Sequence, residues 1–136
     1  NIKLIKDTDK TIQLENYPNA LFHVLINIIT NANDILKEKN ADTQQYIFVN
    51  SYIEDGKIIV KIKDTGDGIK ENIINKVFEA YFTTKHKKRG TGLGLHMSYN
   101  LITINMKGLI QVQNSTYMYE DNQYTGAEFI ITLPMS

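Results

Sequence analysis

A mixed fold of strand pairs and amphipathic helices is what this 136-residue sequence predicts, and three observations predict it. Leu21, Val24, Leu25, Ile28, Ile29, Ala32, Ile35 and Leu36 recur at the spacing of one helix face. The β-rich runs Tyr46 to Ile53 and Lys57 to Lys63 flank Glu54-Asp55-Gly56, and Asp-Gly is a strong hairpin signal. Two more β-rich runs, Leu109 to Asn114 and Ala127 to Leu133, close the chain before Pro134.

The length suits one domain with a real core, spanning residues 1–136. With 42% hydrophobic and 22% charged residues, the composition indicates neither a disordered nor a fibrous chain. Fifteen basic residues balance fifteen acidic ones, which gives no electrostatic argument for nucleic acid or an acidic membrane surface as partner. The absence of cysteine excludes disulfides, thiolate metal sites and cysteine nucleophiles. No apolar run reaches the roughly 18 residues that span a bilayer, so no direct membrane contact is expected of this segment. The chain opens on Asn1 rather than Met, and the expectation is a fragment of a longer protein.

In chain order, Ile2 to Ile5 and Thr11 to Leu14 read as a hairpin at a sheet edge, joined by Asp7-Thr8-Asp9-Lys10. Pro18 precedes a helix expected to reach Lys39. After the central hairpin, Ile73, Ile74, Val77, Phe78, Tyr81 and Phe82 suggest a short helix over Lys70 to Val77. Thr83 to Gly92, without apolar periodicity, reads as a loop. A helix beginning near Gly92 to Leu95 carries Leu95, Met97, Leu101, Ile102 and Ile104 and ends at Lys107-Gly108. Ser115 to Gly126 reads as a polar loop.

Chemistry concentrates in three places. On the first helix, at about 100° per residue, Asn31 falls about 40° to one side of Asn27 and Asp34 about 20° to the other, so three polar side chains share one arc. Two carboxamides one turn apart can offer oxygen to a hard cation and N–H to phosphate; ordinary solvated Asn residues fit the same pattern. Asp64-Thr65-Gly66-Asp67-Gly68-Ile69 follows a strand, where the carboxylate can accept a hydrogen bond from an exocyclic amine and glycine lets backbone approach a flat ligand. An Asp-Gly turn of no special function uses the same residues. Gly90-Thr91-Gly92-Leu93-Gly94-Leu95 puts three glycines ahead of a helix, whose free N–H groups can cradle phosphate, with Lys85, Lys87, Lys88 and Arg89 just before it. Neither a dinucleotide-binding G-x-G-x-x-G nor a P-loop is present.

Together and in this order, the motifs resemble the ATP-binding catalytic domain of sensor histidine kinases, in the superfamily shared with gyrase, the heat-shock chaperone ATPase and mismatch-repair ATPases. The resemblance covers about Tyr17 to Pro134. Asn27 to Asp34 is similar to the family's N box, Asp64 to Gly68 to its first glycine box, Phe78 to Lys85 to its F box and Gly90 to Gly94 to its second glycine box. Gly126-Ala127-Glu128-Phe129 is similar to the closing G-x-x-F element. The resemblance implies an α/β sandwich of the Bergerat type: one mixed, largely antiparallel sheet covered on one face by about three helices.

It also implies roles. Asn31 would be the Mg²⁺ ligand and Asn27 a phosphate or metal-water contact, with Asp34 beside them. Asp64 would read the adenine amine, and Gly66, Gly68 and Ile69 would line the base pocket. Phe82 would contact ATP, Thr83, Thr84 and Lys85 would begin a short ATP lid, and Gly90, Thr91, Gly92, Leu93, Gly94 and Leu95 would wrap the phosphates. Asn27, Asn31 and Lys85 would be the catalytic set.

Hydrolysing members of the superfamily carry a glutamate one turn before the Mg²⁺ asparagine, as general base for water. Asn27 stands there in this chain, and a carboxamide takes no proton at neutral pH, so transfer to another nucleophile is expected rather than hydrolysis. The family's nucleophile is a histidine on a separate dimerisation domain. Its signature does not occur here, and His23, His86 and His96 lack that context. The implied partners are that domain of the parent chain and a response regulator; this domain is expected to be cytoplasmic, and whether the parent is a membrane-anchored sensor stays open. Two departures leave the ligand set intact: Ile35 stands where many members have Ala or Tyr, and Ala127 where Thr is common. Two alternatives stay open: a protein-serine kinase of the anti-sigma type, and a nucleotide-sensing interaction module without transfer activity. Phe78, Tyr81 and Phe82 are candidates for docking a missing domain.

Overall fold

The computed structural model describes residues 2–8, 19–39, 42–80 and 94–134. A sheet of five strands, β1 (Ile2–Thr8), β2 (Gln45–Glu54), β3 (Lys57–Asp64), β4 (Leu109–Tyr119) and β5 (Asn122–Pro134), runs in the order β1-β2-β3-β5-β4. Only β1 and β2 pair parallel; the other three pairs are antiparallel. Helix α1 (Asn19–Lys39) and helix α2 (Gly94–Asn100), which continues as a π-helical turn over Leu101–Asn105, cover one face. This is the mixed, helix-covered sheet that the sequence predicts.

Burial explains the layering. Along β3 the exposure alternates, with Ile58, Val60, Ile62 and Asp64 buried toward the helices. Ile58, Val60 and Ile62 join Leu21, Val24, Ile28, Ala32 and Leu36 of α1, the one-sided stripe read from the sequence, together with Ile102, Phe129, Ile131 and Leu133 in one core. Leu25 and Ile29 are only partly buried against this core, and Ile35 is 36% exposed. Of the apolar residues expected to anchor the second helix, Ile102 is fully buried, while Met97 and Ile104 are 57% and 67% exposed.

Several expectations need correction. Strand β1 continues through Asp7 and Thr8, read as turn, because the parallel ladder to β2 reaches the Thr8–Ser51 pair; Thr11 to Leu14, the other half of the expected hairpin, lies outside the described residues. The helix expected over Lys70 to Val77 is a single 3-10 turn, Ile74–Lys76. The Lys70 carbonyl accepts N–H bonds from both Ile73 and Ile74, and Val77 then drops into the core, which holds the segment by its ends.

The polar loop expected over Ser115 to Gly126 is instead the outer half of a long β4–β5 hairpin, paired from Leu109–Thr132 to Tyr119–Asn122. Glu120 and Asp121 both adopt positive φ (46° and 68°), the conformation of a tight hairpin turn. Tyr117, Tyr119 and Tyr124 from this hairpin pack on Tyr46 and Phe48 of β2, with centroids 4.9 Å apart for both Tyr46–Tyr119 and Phe48–Tyr119. Aromatic packing on the sheet face away from the helices therefore stabilises a segment whose composition alone looks loop-like.

At the end of the π-helical turn the left-handed residue is Lys107 (φ 54°), with the Gly108 N–H bonded to the Ile102 carbonyl at 2.8 Å. Gly108 is required for another reason: a Cβ there would lie 2.5 Å from the Thr132 carbonyl oxygen.

Candidate functional site

Strand β3 ends in Asp64, and the chain turns away from the sheet through Thr65 to Ile69. Asp64 is only 5% exposed. Its Oδ1 accepts the N–H of Gly66 at 2.9 Å and of Ala127 at 3.3 Å, so two backbone donors from different segments fix one carboxylate oxygen. Burial raises the Asp64 carboxyl above its ordinary value, and the Gly66 and Ala127 N–H groups and the Lys39 ammonium partly offset this.

The turn is held on every side. Thr65 Oγ1 donates to Gln45 Oε1 at 2.8 Å and accepts the Tyr46 N–H. Asp67 N–H bonds the Thr125 carbonyl at 2.9 Å. Lys39, at the end of α1, donates to the Thr65 carbonyl and pairs with Asp67, both at 3.1 Å. Asn114 of β4 clamps Ile69, accepting its N–H and donating to its carbonyl, each at 2.7 Å. Gly68 takes φ +84°, and a Cβ there would lie 2.6 Å from Asn114 Oδ1. Asp67 is also left-handed (φ 71°), whereas Gly66 sits in a tight space: a Cβ would come within 3.4 Å of Asp64 Oδ1, Ile35 and Leu36.

Helix α1 spans the site. Its last turns lie against Gly66 through Ile35 and Leu36, which puts Ile35 at the site's rim rather than in the core. Three turns earlier in the chain than Lys39, Asn27 Nδ2 donates to the fully buried Ser98 Oγ of α2 at 3.3 Å. Asn31 and Asp34, both half-buried, lie on α1 between these two contacts. Helix α1 thus touches the Asp64 turn through Ile35, Leu36 and Lys39 and touches α2, whose first residues are Gly94 and Leu95, through Asn27. Phe82, Thr83, Thr84, Lys85, Gly90, Thr91, Gly92 and Leu93, with Tyr81 and His86, lie outside the described residues.

Other expected residues fall elsewhere. His23 is exposed. His96 Nδ1 is 3.0 Å from the Phe78 carbonyl, and Asn100 Nδ2 is 3.4 Å from His96 Nε2. Phe78 is half-buried against Tyr99 and Phe129, so it packs within the domain. A cavity of about 350 Å³, lined by Phe48, Lys61, Lys63, Tyr117 and Glu128 among others, opens on the sheet face away from α1, across the sheet from the asparagines. Among the described residues no helix is long and apolar enough to cross a membrane.

Sequence reasoning missed Asn114, Tyr117 and Ser98. Asn114 was within reach: along β4 it shares the parity of Ile110 and Val112, and a polar residue on the core-facing row needs a bonding partner. Tyr117 was hidden by the loop reading of its segment.

A buried carboxylate at a strand end, a clamped glycine turn and an asparagine edge on the adjoining helix make a recognisable set. Residues 16–136 match the family described as histidine kinase-, DNA gyrase B-, and HSP90-like ATPase. The chain belongs to this family. Among the relatives of this ATPase-family domain, the two-component sensor PprA of Pseudomonas aeruginosa is 32% identical over 118 residues, covering 85% of this chain and 12% of that protein. Sporulation kinase E of Bacillus subtilis is 33% identical over 119 residues, covering 87% and 14%. The chain spans well under a fifth of either relative's length. The nucleotide-free catalytic domain of histidine kinase ThkA superposes with a TM-score of 0.70 at 27% identity, covering 98% of this chain and 78% of that one. Full-length ShkA in complex with AMPPNP shares the fold, with a TM-score of 0.69 at 22% identity over 98% of this chain and 25% of that one.

Proposed function

We propose that this domain binds ATP with Mg²⁺ and passes the γ-phosphoryl group to a histidine on a separate dimerisation domain, from which a response regulator receives it. The observation that carries the reading is Asp64: a buried carboxylate whose Oδ1 is fixed by two backbone N–H groups, so that neither bond uses Oδ2. An aspartate held this way suits an exocyclic amine, since desolvation strengthens each bond it makes. The clamped Gly66 to Ile69 turn lines one side of such a base, with Ile35 at its rim.

The metal fits the donor chemistry of the asparagine edge. Among the described residues no group of three or more His, Asp or Glu side chains is placed to hold an ion, so phosphate oxygens and water would supply most of the shell and Asn31 the protein's carboxamide oxygen. When bound, Mg²⁺ supplies charge neutralisation on the phosphates. Asn27, anchored through its Nδ2 to Ser98, holds α1 and α2 together where the phosphates would lie. Lys85 and the glycines from Gly90 to Gly94 complete the phosphate cradle in this reading.

Transfer forms an N–P bond to the acceptor imidazole and breaks the bond between the γ-phosphorus and the bridging oxygen, with ADP leaving. The domain's share is positioning and electrostatics. Asn27 offers no general base, which disfavours water as the acceptor. The test is phosphorylation of a separately supplied histidine domain from a sensor kinase: Asn31→Ala is expected to abolish it, and unchanged transfer would rule out the role given to Asn31. Loss of the label in acid marks phosphohistidine, whereas acid-stable label marks phosphoserine.

A further inference from the structure

We propose that Tyr117, on the sheet face opposite the helices, is a positioning residue for base recognition by Asp64. The inference rests on the reading of Asp64 as the group that binds the exocyclic amine.

The ladder between β3 and β5 stops just short of Asp64. Strands β3 and β5 pair from Lys57–Pro134 to Lys63–Glu128, and Asp64 lies one residue beyond the last pair. Its carbonyl faces β5 beyond the last paired residues. The Tyr117 hydroxyl donates to it. Room for this contact comes from Gly126: a Cβ there would lie 1.7 Å from the Asp64 carbonyl oxygen and 2.6 Å from its Oδ1. The Asp64 peptide thus sits in the notch of a residue with no side chain, and a phenol from the neighbouring strand satisfies it.

Tyr117 is itself tightly set. Lys63 Nζ lies 4.0 Å from its ring centroid, Phe48 packs edge-on at 5.6 Å and Tyr124 lies at 6.2 Å. Burial, together with the nearby Asp64 and Glu128 carboxylates, raises the phenol above its ordinary value, so it stays a proton donor throughout the physiological range. Fixing the Asp64 carbonyl fixes the peptide plane into Thr65. With Cα paired to Ile47 of β2 on the other side, this sets the Cα–Cβ direction from which the Gly66 and Ala127 N–H groups hold Oδ1. Tyr117 touches no substrate in this account; it acts through Asp64.

The test compares ATP with inosine triphosphate, which carries a carbonyl in place of the exocyclic amine. Dissociation constants are measured by calorimetry for the unaltered domain, Tyr117→Phe, Asp64→Asn and the double variant, with circular dichroism to confirm folding. Tyr117→Phe is expected to weaken ATP about fivefold and to leave inosine triphosphate within about twofold, so that the preference falls. In the Asp64→Asn background, Tyr117→Phe should change the preference no further. A role confined to stability would lower both affinities together or neither, and that result overturns the proposal. A preference lost in Asp64→Asn but intact in Tyr117→Phe overturns the role of Tyr117 alone. An unaltered domain without preference, or an Asp64→Asn variant that keeps it, overturns the base reading and this inference with it. Should Tyr117→Phe fail to fold, Lys63→Gln removes the ammonium above the ring and leaves the hydroxyl: a reduced preference supports the proposal and an unchanged one overturns it.

Discussion

Asn114 holds Ile69 by both of its backbone polar groups, Oδ1 to N–H and Nδ2 to carbonyl, each at 2.7 Å. One side chain on β4 thereby closes the turn that begins at Asp64 on β3, through a contact with Ile69 forty-five residues away in sequence. Asn114→Ala leaves two partly buried backbone groups without this partner and is expected to cost about 1–3 kcal/mol of stability. Urea denaturation measures the loss, and nucleotide affinity should fall with it because Gly68 and Ile69 line the proposed base pocket.

Two glycine substitutions should differ sharply. Gly126→Ala drives a Cβ into the Asp64 carbonyl, a backbone atom that cannot move without breaking the strand end, and is expected to cost more than about 3 kcal/mol or prevent folding. Gly56→Ala meets no atom within 4 Å and carries only the strain of φ +74°, for which about 1 kcal/mol is expected. Thermal melts of the two variants side by side test the contrast.

Asp64 should set function against stability. Because burial raises its carboxyl above the ordinary value, the folded state binds the proton more tightly than the unfolded state. The resulting contribution is full below the ordinary carboxylate range and is lost as pH rises through the folded value. At neutral pH the ionised carboxylate is therefore a net cost, and Asp64→Asn is expected to melt higher. The difference should shrink as the pH is lowered through the carboxylate range. A pH series of melting temperatures checks the sign.

Asn27→Glu tests the choice between transfer and hydrolysis. The Ser98 hydroxyl that now accepts from Asn27 can turn to donate to a carboxylate, so the side chain keeps its anchor. The variant is expected to release inorganic phosphate from ATP at least about tenfold faster, as a positioned general base allows. A phosphate-release assay showing no increase would remove the general-base explanation for asparagine at this position.

The legible parts of the fold were those where one physical signal dominates. The stripe from Leu21 to Leu36 predicted α1 because a long one-sided helix buries its face whatever surrounds it. The Asp55-Gly56 turn predicted β2 and β3 because few other residues adopt positive φ so readily. The β4–β5 extension was not legible, since its stability comes from Tyr117, Tyr119 and Tyr124 meeting Tyr46 and Phe48 far away in sequence. The short apolar periodicity around Ile73 to Phe78 misled in the opposite direction, as a segment fixed at both ends needs no full helix. Within the candidate site, motif order pointed to Asn27, Asn31, Asp34 and Asp64 as expectations, whereas Asn114 and Tyr117 make contacts between strands. Such contacts follow from register, which residue types alone do not fix.

Calorimetric titration of ATP into the domain, with and without Mg²⁺ and beside Asp64→Asn, reads the proposed nucleotide site itself. Binding is expected to strengthen with Mg²⁺ and to weaken at least about tenfold when the Asp64 carboxylate becomes an amide, as for a charge-assisted hydrogen bond in a buried site. Equal binding by the two forms, or no binding by either, would contradict this reading.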